Sequence, residues 1–286
     1  AVPTTLRRSV TAMLPVVEGA ILVADSGGSM YSFDGTNLFL LPNPTHRPIR
    51  ALVGTSASDW WAFGDRGRAW RFSNGVAMTV ATGIPTDLLA ASGRSPDAFT
   101  VAGGDVLADW DGTAFVPGPV PFGVGLRAVR RFASGEVAAA GDGGSFVRGP
   151  VGGPFTISWP TGARFDAIDG TSAGDLWIAG ERGTLLHVEG DVMTVAVAPG
   201  EPDLHGVIVR GPCDVLAFGD RGAIFAYDCN AFQDLSRPDA TVDLIAGALL
   251  DGRPILGGRR YAELDGFLPF ETFADPAPAL PWGRKR

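Results

Sequence analysis

A segment of about forty residues recurs along this chain, and a repeat of that length limits what the chain can fold into. The clearest copies are Asp59-WWAFGDRGRAWRF-Ser73, Asp175-LWIAGERGTLLHV-Glu189 and Asp214-VLAFGDRGAIFAY-Asp228. Each has an apolar run, a Gly-Asp/Glu-Arg-Gly turn and a second apolar run, and weaker copies begin at Val23, Val101, Ala139 and Ile255. The residues at the first turn position, here called the anchors, are Ala24, Gly64, Gly103, Gly141, Gly180, Gly219 and Gly257, spaced 38 to 40 residues apart. A period held over the whole chain indicates one repeat architecture.

Each unit contains four short apolar segments. In the second unit they cover residues 51–53, 60–63, 68–72 and 76–80, separated by the connectors TSAS, GDRG and SNG. A repeat of this length with four antiparallel strands is typical of a propeller blade, which buries both its faces only between neighbouring blades. The sequence therefore predicts an all-β, seven-bladed β-propeller. A solenoid is the alternative, but solenoid units are usually helical or have fewer strands.

The predicted blades divide the chain into near-equal parts of one domain spanning residues 1–286. Their expected bounds are 9–48, 49–86, 87–125, 126–164, 165–203, 204–241 and 242–275, followed by a tail at 276–286. The last unit has a candidate fourth strand at Phe267–Phe273, and the N-terminal residues 1–6 are expected to add an outer strand or to lie along the seam of the ring.

The repeat resembles bacterial propeller repeats of the form G-T/S-S-x-x-D-x-W-x-x-G-x-x-G, which occur in secreted proteins of the myxobacterial type. Gly54-TSASDWWAFGDRGRAWRFSNG and Gly170-TSAGDLWIAGERGTLLHVEG carry the resemblance best. The pattern is also distantly similar to sialidase-type and photosystem II assembly-factor propellers. The resemblance implies the fold far more specifically than it implies a function, and the Asp box of sialidases is not intact here.

Charge and hydropathy exclude two classes of partner. The formal net charge is −8, whereas nucleic-acid binding depends on a basic surface. No apolar run approaches the roughly 18 residues that a bilayer-crossing helix needs. We therefore expect neither a nucleic-acid partner nor a membrane span, and the sequence leaves the oligomeric state open.

The two cysteines, Cys213 and Cys229, lie symmetrically about Arg221 in the GDRG turn of the sixth unit. In a hairpin centred on that turn they face each other, close enough for a disulfide. Two reduced thiols in a different register are the alternative. A disulfide would indicate an oxidising compartment, so the expected location is secreted, periplasmic or on the cell surface.

No catalytic residue, cofactor site or metal site is indicated by motif. The sequence contains no H-E-x-x-H, P-loop, C-x-x-C or G-x-S-x-G pattern, and its three histidines are scattered. The acids of the turns, Asp25, Asp65, Asp142, Glu181 and Asp220, are expected to cap local backbone N–H groups on one face of the ring. Tryptophans 60, 61, 70 and 177 are expected to pack between blades, whereas an exposed Trp110, Trp159 or Trp282 could stack on a sugar ring.

A candidate ligand site emerges from the start of each innermost strand. Because these strands surround one axis, their first residues meet at one end of the central channel. Counting back from the anchors gives Arg50, Asp87, Arg127, Asp166, His205 and Asp243, with Val10 breaking the pattern in the first unit. Polar strand entries wetted by solvent are the simpler interpretation; a site for a polar glycan or a charged peptide is the functional one.

These observations favour a non-catalytic binding or scaffolding module whose ligand is a protein or a polysaccharide. The alternative is a glycan-active hydrolase or lyase that uses Asp87, Asp166 and Asp243 as a carboxylate pair across the channel. Glycosidases need two carboxyl groups about 5–9.5 Å apart. A third possibility is a structural module of a longer surface protein.

Overall fold

A computed structural model describes residues 3–4, 6, 8–42, 47–236, 242–258 and 271–272. These residues form an all-β propeller with four antiparallel strands per blade. The first sheet contains β1 (Pro3–Thr4), β2 (Val10–Val16), β3 (Ala20–Asp25), β4 (Met30–Phe33) and β5 (Leu38–Leu41). The second contains β6 (Ile49–Ser56), β7 (Asp59–Gly64), β8 (Ala69–Ser73) and β9 (Val76–Val80), and the third contains β10 (Ala90–Ser95), β11 (Ala98–Gly103), β12 (Val106–Trp110) and β13 (Phe115–Pro117).

The remaining sheets follow in chain order. The fourth contains β14 (Leu126–Arg131), β15 (Glu136–Gly141), β16 (Phe146–Pro150) and β17 (Thr156–Ser158), and the fifth contains β18 (Phe165–Ser172), β19 (Asp175–Gly180), β20 (Thr184–Glu189) and β21 (Val192–Val197). The sixth contains β22 (Leu204–Gly211), β23 (Asp214–Gly219), β24 (Ile224–Tyr227) and β25 (Phe232–Asp234), and the last contains β26 (Leu244–Leu250), β27 (Arg253–Gly258) and β28 (Glu271–Thr272).

The number of complete blades differs from the prediction. Among the described residues, six sheets have four or more strands and the last sheet has three, so the structure contains six complete blades instead of seven. In the last sheet β28 pairs directly with β27, with Ile255 opposite Thr272 and Leu256 opposite Glu271. The segment predicted as a fourth strand at 267–273 thus includes a strand in the third position. No other described segment covers its outer edge.

The three-stranded sheet packs between the sixth blade and the first. Its innermost strand β26 contacts both β22 and β2. One hydrophobic cluster joins Val10, Ile21 and Phe33 of the first blade to Ala248 and Ile255 of the last sheet. The ring therefore closes by packing of apolar side chains between sheets.

The N-terminal segment lies on the outside of the first blade. Pro3 and Thr4 pair with Phe39 and Leu38 of β5, which confirms the outer-strand alternative. Leu6 is half-buried against the cluster at the seam.

Deleting residues 1–8 is expected to lower the melting temperature by about 2 °C, because it removes one strand pairing and about 1 kcal/mol of apolar burial. Differential scanning calorimetry checks this, with deletion of residues 1–2 as the control. An unchanged melting curve for the longer deletion would show that the strand contributes nothing.

Aromatic side chains fill the spaces between blades, as predicted for four of the tryptophans. Trp61 and Phe63 of the second blade pack with Phe99, Trp110 and Phe115 of the third. Trp60, Trp70 and Trp177 are also buried. Trp110 belongs to this core and is unable to stack on a ligand, whereas Trp159 is 57% exposed. Trp282 and Tyr261 lie outside the described residues.

The disulfide between Cys213 and Cys229 is formed, with Cα atoms 4.7 Å apart. The two cysteines flank the hairpin of β23 and β24, as the symmetric spacing about Arg221 predicted. The structure thereby ties together two exposed loops at the end of the blade opposite the GDRG turn.

Candidate ligand site at the channel mouth

One residue near the start of each innermost strand is displaced from the regular ladder. In six of the sheets within the described ranges, the register of the inner hairpin shifts by one residue at the same point. The bulged residues are Thr11, Arg50, Arg127, Asp166, His205 and Ile245. A bulge redirects a side chain out of the pleat. In the third sheet Leu89 holds the equivalent place, since Leu88 packs on Gly103 as Leu204 packs on Gly219.

A local sequence motif accompanies each bulge. The residue before it is apolar and buried, the bulged residue is partly exposed, and the residue after it is alanine or glycine. The seven copies are Val10-Thr11-Ala12, Ile49-Arg50-Ala51, Leu88-Leu89-Ala90, Leu126-Arg127-Ala128, Phe165-Asp166-Ala167, Leu204-His205-Gly206 and Leu244-Ile245-Ala246. The small residue leaves room for neighbouring inner strands, and the bulged side chain lies at the end of the channel, here called the mouth.

The mouth opens into a cavity of 230 Å³. Five bulged residues line it: Thr11, Arg50, Leu89, His205 and Ile245. Below them the wall is formed by Met13, Leu52, Val207, Phe218 and the small residues of the motif. A concave, largely apolar wall with a few convergent polar groups is the usual form of a ligand pocket.

Four of the six predicted site residues take places in this ring: Arg50, Arg127, Asp166 and His205. Asp87 and Asp243 do not. Asp87 accepts the backbone N–H of Arg66 at 2.8 Å, and Asp243 accepts that of Arg221 at 3.0 Å. Both donors are turn residues with positive φ in the preceding blade. These two carboxylates join neighbouring blades, and Leu89 and Ile245 occupy the ring positions that the count assigned to them.

The count failed at those positions because two anchors are displaced by one residue. Val10 pairs with Asp25 and Leu244 with Gly258, as Ile49 pairs with Gly64. The structural anchors of the first and last sheets are therefore Asp25 and Gly258, not Ala24 and Gly257. In the third unit, Asp87 precedes the ring position by two residues. The apolar-x-Ala/Gly motif was the sequence signal that would have located Thr11, Leu89 and Ile245.

One side of the mouth carries a connected charged cluster, formed by Arg127, Arg164, Asp166, His205 and Asp220. Arg127 Nε donates to Asp166 Oδ1 at 2.6 Å. Arg164 binds the same carboxylate in two-pronged fashion, with Nε and Nη2 at 3.1 and 2.9 Å from Asp166 Oδ2. These hydrogen bonds raise the pKa of the Arg164 guanidinium. Asp166 therefore joins the fourth, fifth and sixth sheets.

His205 extends the cluster into the sixth blade. Its Nε2 lies 2.7 Å from Asp220 Oδ1, and its Nδ1 lies 3.9 Å from Asp166 Oδ2. The imidazole is mostly buried and also lines the cavity. A single histidine thus lies between two carboxylates at the wall of the candidate site.

The turn acids behave differently from one another. Asp25 caps its own turn, accepting the N–H groups of Gly27 and Ser29, as predicted. The other four face cations near the mouth instead, in the pairs Asp65 with Arg50, Asp142 with Arg127, Glu181 with Arg164 and Asp220 with His205. Their predicted capping role falls partly to connector aspartates, since Asp203 accepts the N–H of Arg182 as Asp87 accepts that of Arg66.

A second polar layer lies three residues further along two of the inner strands. Arg130 Nε is 3.1 Å from Asp169 Oδ1, and Asp169 Oδ2 accepts the N–H of Val209 at 2.9 Å. Burial raises the pKa of the Asp169 carboxyl, and Arg130 opposes that shift. These contacts connect the fourth, fifth and sixth sheets inside the channel.

No group of three or more histidine, cysteine, aspartate or glutamate side chains in the described part of the chain could hold a metal ion. The same residues include no helix long and apolar enough to cross a membrane.

The chain matches no family model and no curated protein in sequence. Its fold is nevertheless similar to that of several solved propellers. The structure titled "YCF48 bound to D1 peptide" matches with a TM-score of 0.72 and 12% identity, over 90% of this chain and 93% of that one. YCF48 from Cyanidioschyzon merolae matches with a TM-score of 0.71 and 14% identity, over 90% of this chain and 95% of that one.

A third similar structure belongs to a larger protein. The extracellular domain of the putative one component system BT4673 from B. thetaiotaomicron matches with a TM-score of 0.71 and 16% identity. The alignment covers 90% of this chain but 38% of that chain. At these identities the comparisons establish the propeller fold, and the resemblance to secreted bacterial repeats stays a prediction.

Proposed function

We propose that this protein is an extracytoplasmic, non-catalytic binding module that holds a segment of a partner polypeptide at the channel mouth. The observation that carries the proposal is the convergence of bulged residues from every sheet on one open cavity. The Cys213–Cys229 disulfide supports the location, because such bonds persist in oxidising compartments. The similarity to an extracellular domain agrees with it.

The two sides of the mouth suit a peptide better than a polysaccharide. Leu89 and Ile245 offer apolar contacts at the rim, and Met13, Leu52 and Phe218 continue them into the cavity. The charged cluster offers guanidinium donors and carboxylate acceptors, which match the C=O and N–H groups of a peptide backbone. A peptide that inserts one apolar side chain uses both sides. The similar structure of YCF48 contains a bound peptide.

The hydrolase or lyase alternative lacks comparable support. Of the three carboxylates that it requires, Asp87 and Asp243 accept backbone hydrogen bonds between blades. Asp166 is held by two arginines. Nothing in this arrangement favours a reacting carboxylate pair across the mouth.

Changing Arg50 and Arg127 together to alanine is expected to weaken peptide binding at least tenfold, which corresponds to about 1.4 kcal/mol. Both side chains lie at the solvent-exposed mouth, so the fold is expected to remain intact. An array of short peptides with and without a central leucine or phenylalanine identifies the binder, and isothermal titration calorimetry measures its affinity for both proteins.

The matched control is the double variant Arg148→Ala, Arg210→Ala. These arginines also pair with carboxylates, Asp191 and Asp214, but at the opposite end of the blades. Equal losses in both double variants would place the binding surface elsewhere. Binding to a glycan array without binding to any peptide would overturn the choice of partner.

A further inference from the structure

We propose that His205 is a pH-sensitive latch of the mouth: protonation of its Nδ1 ties Asp166 to the imidazolium and loosens the hold of Asp166 on Arg127. The consequence for ligand affinity rests on the proposed function. The latch itself is a property of the free protein and is testable without any ligand.

Hydrogen-bond chemistry fixes the starting state of the imidazole. The Nε2 atom lies 2.7 Å from Asp220 Oδ1, and an ionised carboxylate only accepts hydrogen bonds. In neutral His205 the ring proton is therefore on Nε2. The lone pair of Nδ1 then faces Asp166 Oδ2 across 3.9 Å, two acceptors without a proton between them.

Acidification adds a proton from solvent at Nδ1, the nitrogen that faces Asp166. Histidine side chains commonly gain this charge between about pH 5 and 8. The imidazolium then donates at both nitrogens and forms a charge-assisted hydrogen bond to each carboxylate. The contact between Nδ1 and Asp166 Oδ2 changes from repulsive to attractive and is expected to shorten.

Asp166 has to redistribute its contacts when this happens. Its Oδ2 already accepts Arg164 at 2.9 Å, and its Oδ1 accepts Arg127 at 2.6 Å. Arg127 has another carboxylate within reach, because its Nη1 lies 3.8 Å from Asp142 Oδ1. Movement of Asp166 toward the sixth blade therefore releases Arg127 toward Asp142, which rearranges the charged side of the mouth.

The surroundings of His205 present few competing charges. The fifth blade faces it with Asp166, its own blade with Asp220, and the last sheet contributes the apolar Ile245 to the same cavity. Arg127 and Arg164 are linked to the ring through Asp166, and Glu181 and Asp203 through Arg164. A peptide held by Arg127 and Asp166 is expected to bind about tenfold more weakly below the titration of His205 than above it, a change of about 1.4 kcal/mol.

Nuclear magnetic resonance of the full chain tests the latch. Nitrogen-15 spectra of the histidine rings are expected to show the Nε2–H tautomer for His205 above its titration and protonation at Nδ1 below it. The Nε–H signal of Arg127 is expected to shift with the same midpoint. In His205→Gln that shift is expected to disappear, whereas circular dichroism stays unchanged.

His187 supplies the matched control. It also lies beside two carboxylates, Asp175 at 3.2 Å and Glu189 at 3.9 Å, but it stacks on Trp177 away from the mouth. The His187→Gln variant is expected to retain the Arg127 shift. An Nδ1–H tautomer for neutral His205, or an Arg127 signal that ignores its titration, would overturn the latch. Those outcomes leave the proposed function standing, because peptide binding at constant pH is measured separately.

Discussion

Alanine at Gly180 or Gly219 is expected to destabilise the protein by about 3 kcal/mol, a large effect for one methyl group. A Cβ atom on Gly180 would overlap the carbonyl oxygen of Arg164, and one on Gly219 would overlap that of Asp203. Both carbonyls belong to the connector that leads into the innermost strand, so neither side can move without displacing the mouth. The reason is space, since neither glycine has a positive φ.

Urea unfolding followed by tryptophan fluorescence measures this effect, with Gly162→Ala as the control. Gly162 lies on a connector of the same face and has no positive φ, and a methyl group added to it would meet no other atom within 4 Å. Its alanine variant is expected to stay within about 0.5 kcal/mol of the parent protein. Similar stabilities for all three variants would show that the connectors yield easily.

Replacing both Cys213 and Cys229 with serine is expected to cost about 3 kcal/mol of unfolding free energy, because the bridge closes a short loop and restricts the unfolded chain. The two cysteines are 16 residues apart in sequence. Both lie in exposed loops, so serine introduces no buried polar group. The loss is expected to come from the missing crosslink.

Thermal unfolding with and without dithiothreitol checks the disulfide prediction. The reductant is expected to lower the melting temperature of the parent protein and to leave the serine variant unaffected. A parent protein that unfolds at the same temperature under both conditions would argue that the bridge adds no stability. A reductant effect on the serine variant would indicate a cause other than the disulfide.

The sequence by itself determined the propeller, the four strands of a blade and the disulfide. Each follows from short-range patterns: alternating apolar segments, glycine-rich turns at a fixed period, and two cysteines placed symmetrically about Arg221. The anchors at Gly180 and Gly219 are glycines because a connector carbonyl lies against each one. Steric demands of this kind recur in successive units, and they therefore leave a periodic trace in the sequence.

Tertiary structure decided which side chains form the mouth. Arg50, Arg127, Asp166 and His205 could be found by counting, but Asp87 and Asp243 could not be distinguished from Leu89 and Ile245. That choice depends on a bulge, which displaces one residue of an otherwise regular strand. The bulge is expressed locally only in the weak apolar-x-Ala/Gly motif.

The pairing of charges was also decided by packing between sheets. Asp166 is held by Arg127 from another blade, and Asp87 bonds to the backbone of Arg66 in the preceding one. The partners in these contacts are 39 and 21 residues apart, so no pattern within one repeat specifies them. The three-stranded last sheet is a similar case, because the position of β28 beside β27 depends on which strand edge remains open after the chain has closed the ring.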